Sequence, residues 1–505
     1  MRRTVSAPLF GLTATALVAL LAGCDAGKSG TETASATVTD SAAATVANSG
    51  AVPLSTTSDE ARQLYLRGRA IAEQLRAHDA RELYEQAAAK DPGFAMAHYQ
   101  LAANAATAKD FFAHLKQAGA LAAQASEGER LMILALEAGG NADATKQLEY
   151  QQQLVAKYPD DERARFLLAG GWFGQQEYDK AIEQYRKATE INPDYSPAYN
   201  LLGYAYRQVE KYPEAEAAFK KYIELIPGDP NPYDSYAELL MKTGRFDESI
   251  AQYRKALSVD RHFSPSKVGI ATNLMLQGRH AEAAREMDAL YQAARDDADR
   301  RNALFTKGVI LVDAGKTDAA VAEIKKEYRL DARLGDSANM SGDAQLLGNI
   351  LLEAGRTDAA AREFWQALDV VEKSSLSDEI KADTRLAGHF NDARVALAKW
   401  DLAKAKAEAK AYQDGALARK NTFRVRQAHG LMGNIAMAEK QYDAALAHFA
   451  QANQQDPQVL YWTALAHEAK GNGARAKELA ARAANANVLP LVSYAFVREK
   501  AKKLS

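Results

Sequence analysis

Cysteine is almost missing from this chain of 505 residues: there is one, Cys24. With no second thiol, a disulfide within the chain is excluded. A basic excess is missing too. The chain has 63 basic and 65 acidic residues and a formal net charge of −2. Binding a polyanion releases counterions in proportion to the cationic groups engaged, so nucleic acid is not an expected partner. After the first 22 residues no further apolar run approaches the roughly 18 residues that span a bilayer. The nine histidines show no metal spacing, and no pair of them flanks a Glu at the four-residue interval of zinc hydrolases. No Gly-x-Ser-x-Gly elbow occurs. Gly315-Lys316-Thr317 and Gly27-Lys28-Ser29 imitate a phosphate loop but lack its upstream glycine, and the first reads better as a turn between helices. Paired acids such as Asp160-Asp161 and Asp296-Asp297 stand where helices should begin and read as caps. No catalytic residue, metal or cofactor is therefore expected.

What is present begins at the N-terminus. Met1-Arg2-Arg3 precedes an apolar stretch from about Pro8 to Ala22, the layout of an export signal. That stretch ends Leu21-Ala22-Gly23-Cys24, which resembles the lipobox of bacterial lipoproteins. The resemblance implies cleavage of residues 1–23 and acylation of Cys24, hence attachment to a membrane through lipid and a face towards the periplasm. Several acyl chains hold stably, because each buried CH₂ contributes about 0.8 kcal/mol. Asp25 resembles the inner-membrane retention signal of enterobacterial lipoproteins and tilts the expectation to that membrane over the outer one. Residues 24–58 are mainly Ala, Ser, Thr and Gly without aromatics. They read as a flexible tether with a reach of roughly 30 Å. A folded part should start at the N-cap Ser58-Asp59.

From there one pattern recurs. Ala181, Ala215, Ser249 and Ala283 are spaced by 34 residues. Twelve residues before them stand Ala169, Gly203, Ala237 and Ala271, and four after them Tyr185, Phe219, Tyr253 and Met287. Pro193 and Pro227 close two units, and Gly68, Ala80, Tyr84, Ala87 and Pro92 repeat the same grammar earlier. The small residues allow two helices to approach, the bulky ones fill the space between hairpins, and proline stops the second helix. Ala320, Ala360, Ala405 and Ala445 continue the series at stretched gaps of 37, 40, 45 and 40. The unit from Ser196 to Asp229, with Tyr199, Leu202-Gly203, Tyr206, Ala215, Phe219 and Pro227, resembles the tetratricopeptide repeat, a 34-residue helix–turn–helix.

The resemblance implies an all-α, right-handed superhelical solenoid of about twelve hairpins with a C-terminal capping helix from about Pro490. Residues 59–297 would form its regular part and 298–505 a divergent part, which could be a second, differently curved lobe. Arg498, Lys500, Lys502 and Lys503 would give the last helix a solvated basic end. In this family the first helix of each hairpin lines a concave groove. The corresponding positions are Phe166, Gly170 and Phe173, then Asn200, Tyr204 and Arg207, then Asp234, Glu238 and Met241. They do not reproduce the family's clamp for a peptide carboxylate. The expected function is a non-catalytic scaffold that binds a peptide or helix of another envelope protein. An enzyme assembled across repeats and a self-assembling structural module are the alternatives.

Overall fold

In the computed structural model, residues 50–73, 77–105 and 108–505 are described. Cys24, the export signal and most of the expected tether lie outside them. The hairpins pair in chain order, beginning with α1 (Asp59–Ala72) and α2 (Ala77–Lys90), then α3 (Ala95–Ala103) and α4 (Ala108–Leu121). Next come α5 (Glu127–Gly140) with α6 (Ala144–Lys157), α7 (Glu162–Gly174) with α8 (Tyr178–Ile191), and α9 (Ser196–Gln208) with α10 (Tyr212–Leu225). The sixth to eighth are α11 (Pro230–Lys242) with α12 (Phe246–Val259), α13 (Ser264–Leu276) with α14 (His280–Gln292), and α15 (Asp297–Asp313) with α16 (Thr317–Leu334). The ninth and tenth are α17 (Ser337–Glu353) with α18 (Thr357–Glu372) and α19 (Asp378–Ala398) with α20 (Leu402–Ala418). Finally α21 (Thr422–Ala438) pairs with α22 (Tyr442–Phe449), α23 (Pro457–Ala469) with α24 (Gly473–Ala484), and α25 (Val492–Leu504) stands alone. That makes twelve hairpins and a last helix, all α among the described residues.

The repeat grammar explains the packing. A Cβ on Gly203 would lie 2.7 Å from the ring of Phe219, so only glycine admits that ring between α9 and α10. Ala181, Ala215, Ala283 and their bulky partners Tyr185, Phe219 and Met287 are fully buried. Ser249 takes the alanine place in α12 and satisfies its hydroxyl by donating to the Ala237 carbonyl at 2.7 Å. The acid pairs cap as expected: Asp161 accepts from the Arg163 and Ala164 amides, and Asp296 from that of Asp299.

The turn inside each hairpin carries its own period. Ala142, Gln176, Glu210, Gly244 and Gly278, each 34 residues after the last, all adopt positive φ. The left-handed region suits glycine and costs other residues about 1–2 kcal/mol. Ala142→Gly should therefore raise stability by up to about 1 kcal/mol and Gly244→Ala lower it by a similar amount. Urea denaturation of the two variants beside the parent chain reads both signs.

No break occurs near residue 298. One buried apolar cluster runs from Met241 through Leu290 and Ala303 to Leu347. The stretched gaps are absorbed by longer helices: α15 to α21 have 16–21 residues, against 13–14 in α7 to α14.

Two expectations need correction. Residues 50–57, assigned to the tether, lie along the first hairpins. The Val52 amide donates to Asp161 at 2.9 Å, Ser55 to Glu129 at 3.1 Å, and the Thr56 hydroxyl to Asp91. Carboxylates at helix starts, with backbone donors in reach, fix a segment whose composition alone would not order it. Helix α25 does pack on α23 and α24, but it also crosses to α15, and Arg498 is 1% exposed rather than part of a solvated end.

That crossing reflects closure of the superhelix. Successive first helices touch, as in α9–α11, α11–α13 and α13–α15, which places them on the inside of the curve. After one turn the chain meets itself. Asn141 at the third hairpin accepts from Ser377 at the tenth (3.0 Å), and Thr422 at the eleventh donates to Gln175 at the fourth (2.7 Å). Arg426 reaches Gln176 and Glu177, and Arg482 of the twelfth reaches Glu210 of the fifth. The left-handed turns of the early hairpins are thus the ledge on which the late hairpins rest.

Candidate interaction site

The groove positions read from sequence divide into three groups. Asn200, Tyr204 and Arg207 on α9 meet Asp234 and Glu238 on α11 through a polar ladder. The Tyr204 hydroxyl donates to Glu238 Oε1 at 2.5 Å and lies 3.2 Å from Ser235 Oγ. Arg207 donates to Glu238 Oε2 at 3.1 Å and stacks its guanidinium 4.7 Å from the Tyr204 ring centre. Asn200 approaches Asn231 at 3.5 Å, and Asp234 accepts from Ser266 on α13 at 2.9 Å. Charge-assisted bonds of this kind hold one first helix against the next. Phe166 belongs to the core, with its ring 5.7 Å from Tyr185 and 5.5 Å from Tyr195. Phe173 is half-buried against Tyr178, the least covered of the three aromatics.

Met241 is fully buried, and what it shares its cluster with was not foreseen. Ala486, Val492, Phe496 and Val497, from the end of the chain, join residues of α13, α15 and α17 there. Lys242 donates to the Ala486 carbonyl at 2.8 Å, and burial pushes its ammonium down to about 8. Arg498 donates from Nε to Asp313 Oδ1 at 2.7 Å and from Nη2 to Asp313 Oδ2. Its Nη1 also reaches the Leu276 carbonyl at 3.2 Å, and His280 Nε2 lies 2.7 Å from Asp313 Oδ2. Asp313 ends α15 and Leu276 ends α13, so the cation sits at two helix C-termini, where the backbone dipoles favour it. The sequence held one signal for this: Tyr494, Ala495, Arg498 and Ala501 share a face at helical spacing, which sets the arginine on the apolar side.

A second buried polar group lies between α15, α16 and α17. Arg301 faces Asp331 at 2.9 Å and Glu327 at 3.6 Å, with Asp343 close by. One guanidinium serves three carboxyls, and burial pushes Glu327 up to about 8 and the two aspartates upward. A carboxyl whose folded value exceeds its unfolded value contributes stability below the unfolded value and loses it as pH rises through the folded one. The stabilisation contributed by this cluster should therefore fall as pH rises from about 5 through about 8, so the melting temperature of the parent chain should lose ground to that of Glu327→Gln over this range. Calorimetric melts across this range decide it. Among the described residues, no group of three or more His, Cys, Asp or Glu is placed to hold a metal ion. None of the described helices is long and apolar enough to cross a membrane.

Family models match part of the early hairpins. Residues 173–209 match the family model described as TPR repeat, and residues 196–229 and 231–263 match that of the tetratricopeptide repeat. No curated protein matches the chain. Among solved structures, a tetratricopeptide repeat protein from Parabacteroides merdae is 16% identical over 51% of this chain and 99% of its own, with a TM-score of 0.36. TTC0263, a TPR protein of Thermus thermophilus, is 23% identical over 42% of this chain and 98% of its own, with a TM-score of 0.28. MamA from Desulfovibrio magneticus is 13% identical over 34% of this chain and 98% of its own, with a TM-score of 0.30.

Proposed function

We propose that this solenoid of tetratricopeptide repeats is a non-catalytic scaffold of the bacterial cell envelope. Lipid on Cys24 holds it to a membrane, with the inner membrane favoured by Asp25, and its inner wall takes a peptide or helix of another envelope protein. The observation that carries the binding half is the inner wall itself: first helices in contact from α9 to α15, in a coil whose late hairpins return to its early ones. On that wall Phe173 stays half-buried, an aromatic of the kind that anchors interfaces. The lipobox carries the anchoring half.

The binding half is tested by capture from detergent-solubilised membranes with the parent chain and with Phe173→Ala. Loss of a retained protein at unchanged helicity supports the inner wall, and an identical set of retained proteins removes it. The anchoring half predicts that metabolic palmitate labels the parent chain and spares Cys24→Ser. Equal labelling would place the lipid elsewhere or nowhere.

A further inference from the structure

The edge formed by the C-terminal ends of α11, α13, α15 and α17 already holds a helix, and the way it holds it specifies what fits. Segment Ala486–Leu504 hangs from the twelfth hairpin by residues 485–491, which are not helical. Its apolar residues Val492, Phe496 and Val497 enter the buried cluster built by the first helices α11 to α17. Its one buried cation, Arg498, fills a cup made of Asp313 and the carbonyls of Met275 and Leu276. Asp313 takes the guanidinium through both oxygens, a match to the fork of arginine that an ammonium cannot reproduce. Lys242 fixes the near end of the segment through the Ala486 carbonyl, and Lys500 pairs with Glu353 at the far end. The features are those of helix-in-groove recognition: an apolar face anchored at spaced positions, with one charged residue setting register.

The geometry points to a helix-binding site across the C-terminal ends of α11, α13, α15 and α17 that selects an amphipathic helix with an arginine among its apolar residues, and that the chain's own C-terminal segment occupies until such a partner helix displaces it. This rests on the scaffold reading and names both its partner class and its control. The charge of the cup argues for the occupant: His280 meets one oxygen of the fully buried Asp313 carboxylate, and an arginine from the incoming helix engages both. A segment in cis is present at high effective concentration, so the resting chain discriminates against weak competitors.

The probe is a fluorescein-labelled peptide of residues 486–505, added to the full chain and followed by anisotropy. Arg498→Ala, which loosens the resident helix, should bind the peptide at least about a hundredfold more tightly than the parent chain does. The same peptide with alanine at its arginine should lose that binding. Equal binding by the parent chain and Arg498→Ala, or equal binding of the two peptides, overturns the proposal. If Arg498→Ala lacks the parent's helicity, the pair Asp313→Asn/Arg498→Gln takes its place, because it leaves no lone charge. That pair should bind a peptide with glutamine at the arginine position at least as well as the arginine peptide, and binding neither overturns the proposal. Dimerisation of Arg498→Ala that added peptide abolishes would give the site to a second copy and overturn the partner assignment. Failure of the peptide with continued capture of envelope proteins removes this site and leaves the scaffold standing. Peptide binding without any captured protein does the reverse.

Discussion

Arg498→Ala should make the opening of α25 easier by about 3–5 kcal/mol, because deleting one partner of a buried ion pair leaves the other uncompensated. Arg498 is 1% exposed, and the side chain of Asp313 is fully covered. In a stacked-repeat protein the loss should stay local, since each unit depends chiefly on its neighbours. Amide exchange within Val492–Leu504 should then lose about two to four decades of protection, at about 1.4 kcal/mol per decade. Protection in α7 to α10, which share no buried cluster with α25, should hold. Arg498→Lys should fall between the two. It keeps the charge but reaches only part of a contact that uses Nε, Nη1 and Nη2. Unchanged exchange in Arg498→Ala would mean that the apolar contacts alone hold the helix.

Phe219→Ala should cost about 3–5 kcal/mol. The ring is fully buried, touches the backbone side of Gly203 and meets Tyr204 edge-on with centroids 5.2 Å apart. Its removal opens a cavity between α9 and α10, in the stretch where the repeat is most regular. Filling the same space from the other side is also unfavourable: Gly203→Val places carbon where Phe219 already sits and should cost about 1–3 kcal/mol. The two changes are in contact, so their effects should not add. In the double variant the valine occupies part of the cavity, and the total should fall short of the sum by about 0.5–3 kcal/mol. Urea denaturation of the four chains closes the cycle. Simple additivity would contradict the close crossing at Gly203.

The period of small and bulky residues made the hairpins legible because it states a local packing rule. Gly203 beneath Phe219 and Ala215 at a helix crossing follow from spacing alone. The degenerate units from Phe94 to Pro159 fold as two further hairpins, since their neighbours supply the surfaces they stack on. Composition misled where order comes from distant partners. Residues 50–57 lack the apolar content to fold alone, yet Asp161, Glu129 and Asp91 wait for their donors. The positions named for the inner wall were read as a surface for a partner, and spacing alone does not announce what they touch. Tyr204, Arg207 and Glu238 face one another across consecutive first helices and spend their polarity on stacking. Met241 is covered by a segment some 250 residues further on, which no local pattern can announce. Arg498 shows the same limit. Read as part of a run with Lys500, Lys502 and Lys503, it belongs to solvent, and only the return of the chain to α13 and α15 makes it a buried anchor.

The central claim is that twelve hairpins coil until the end of the chain returns to the turn edge of its own earlier hairpins. Spin labels at positions 210 and 482, in a Cys24→Ser background, test it most directly, because Glu210 and Arg482 come within 3.4 Å of each other across 272 residues of sequence. A closed turn predicts one narrow population of short label–label distances by pulsed electron resonance. A broad distribution centred several hairpin widths further out would show an open rod, and the returning helix would have nothing to return to.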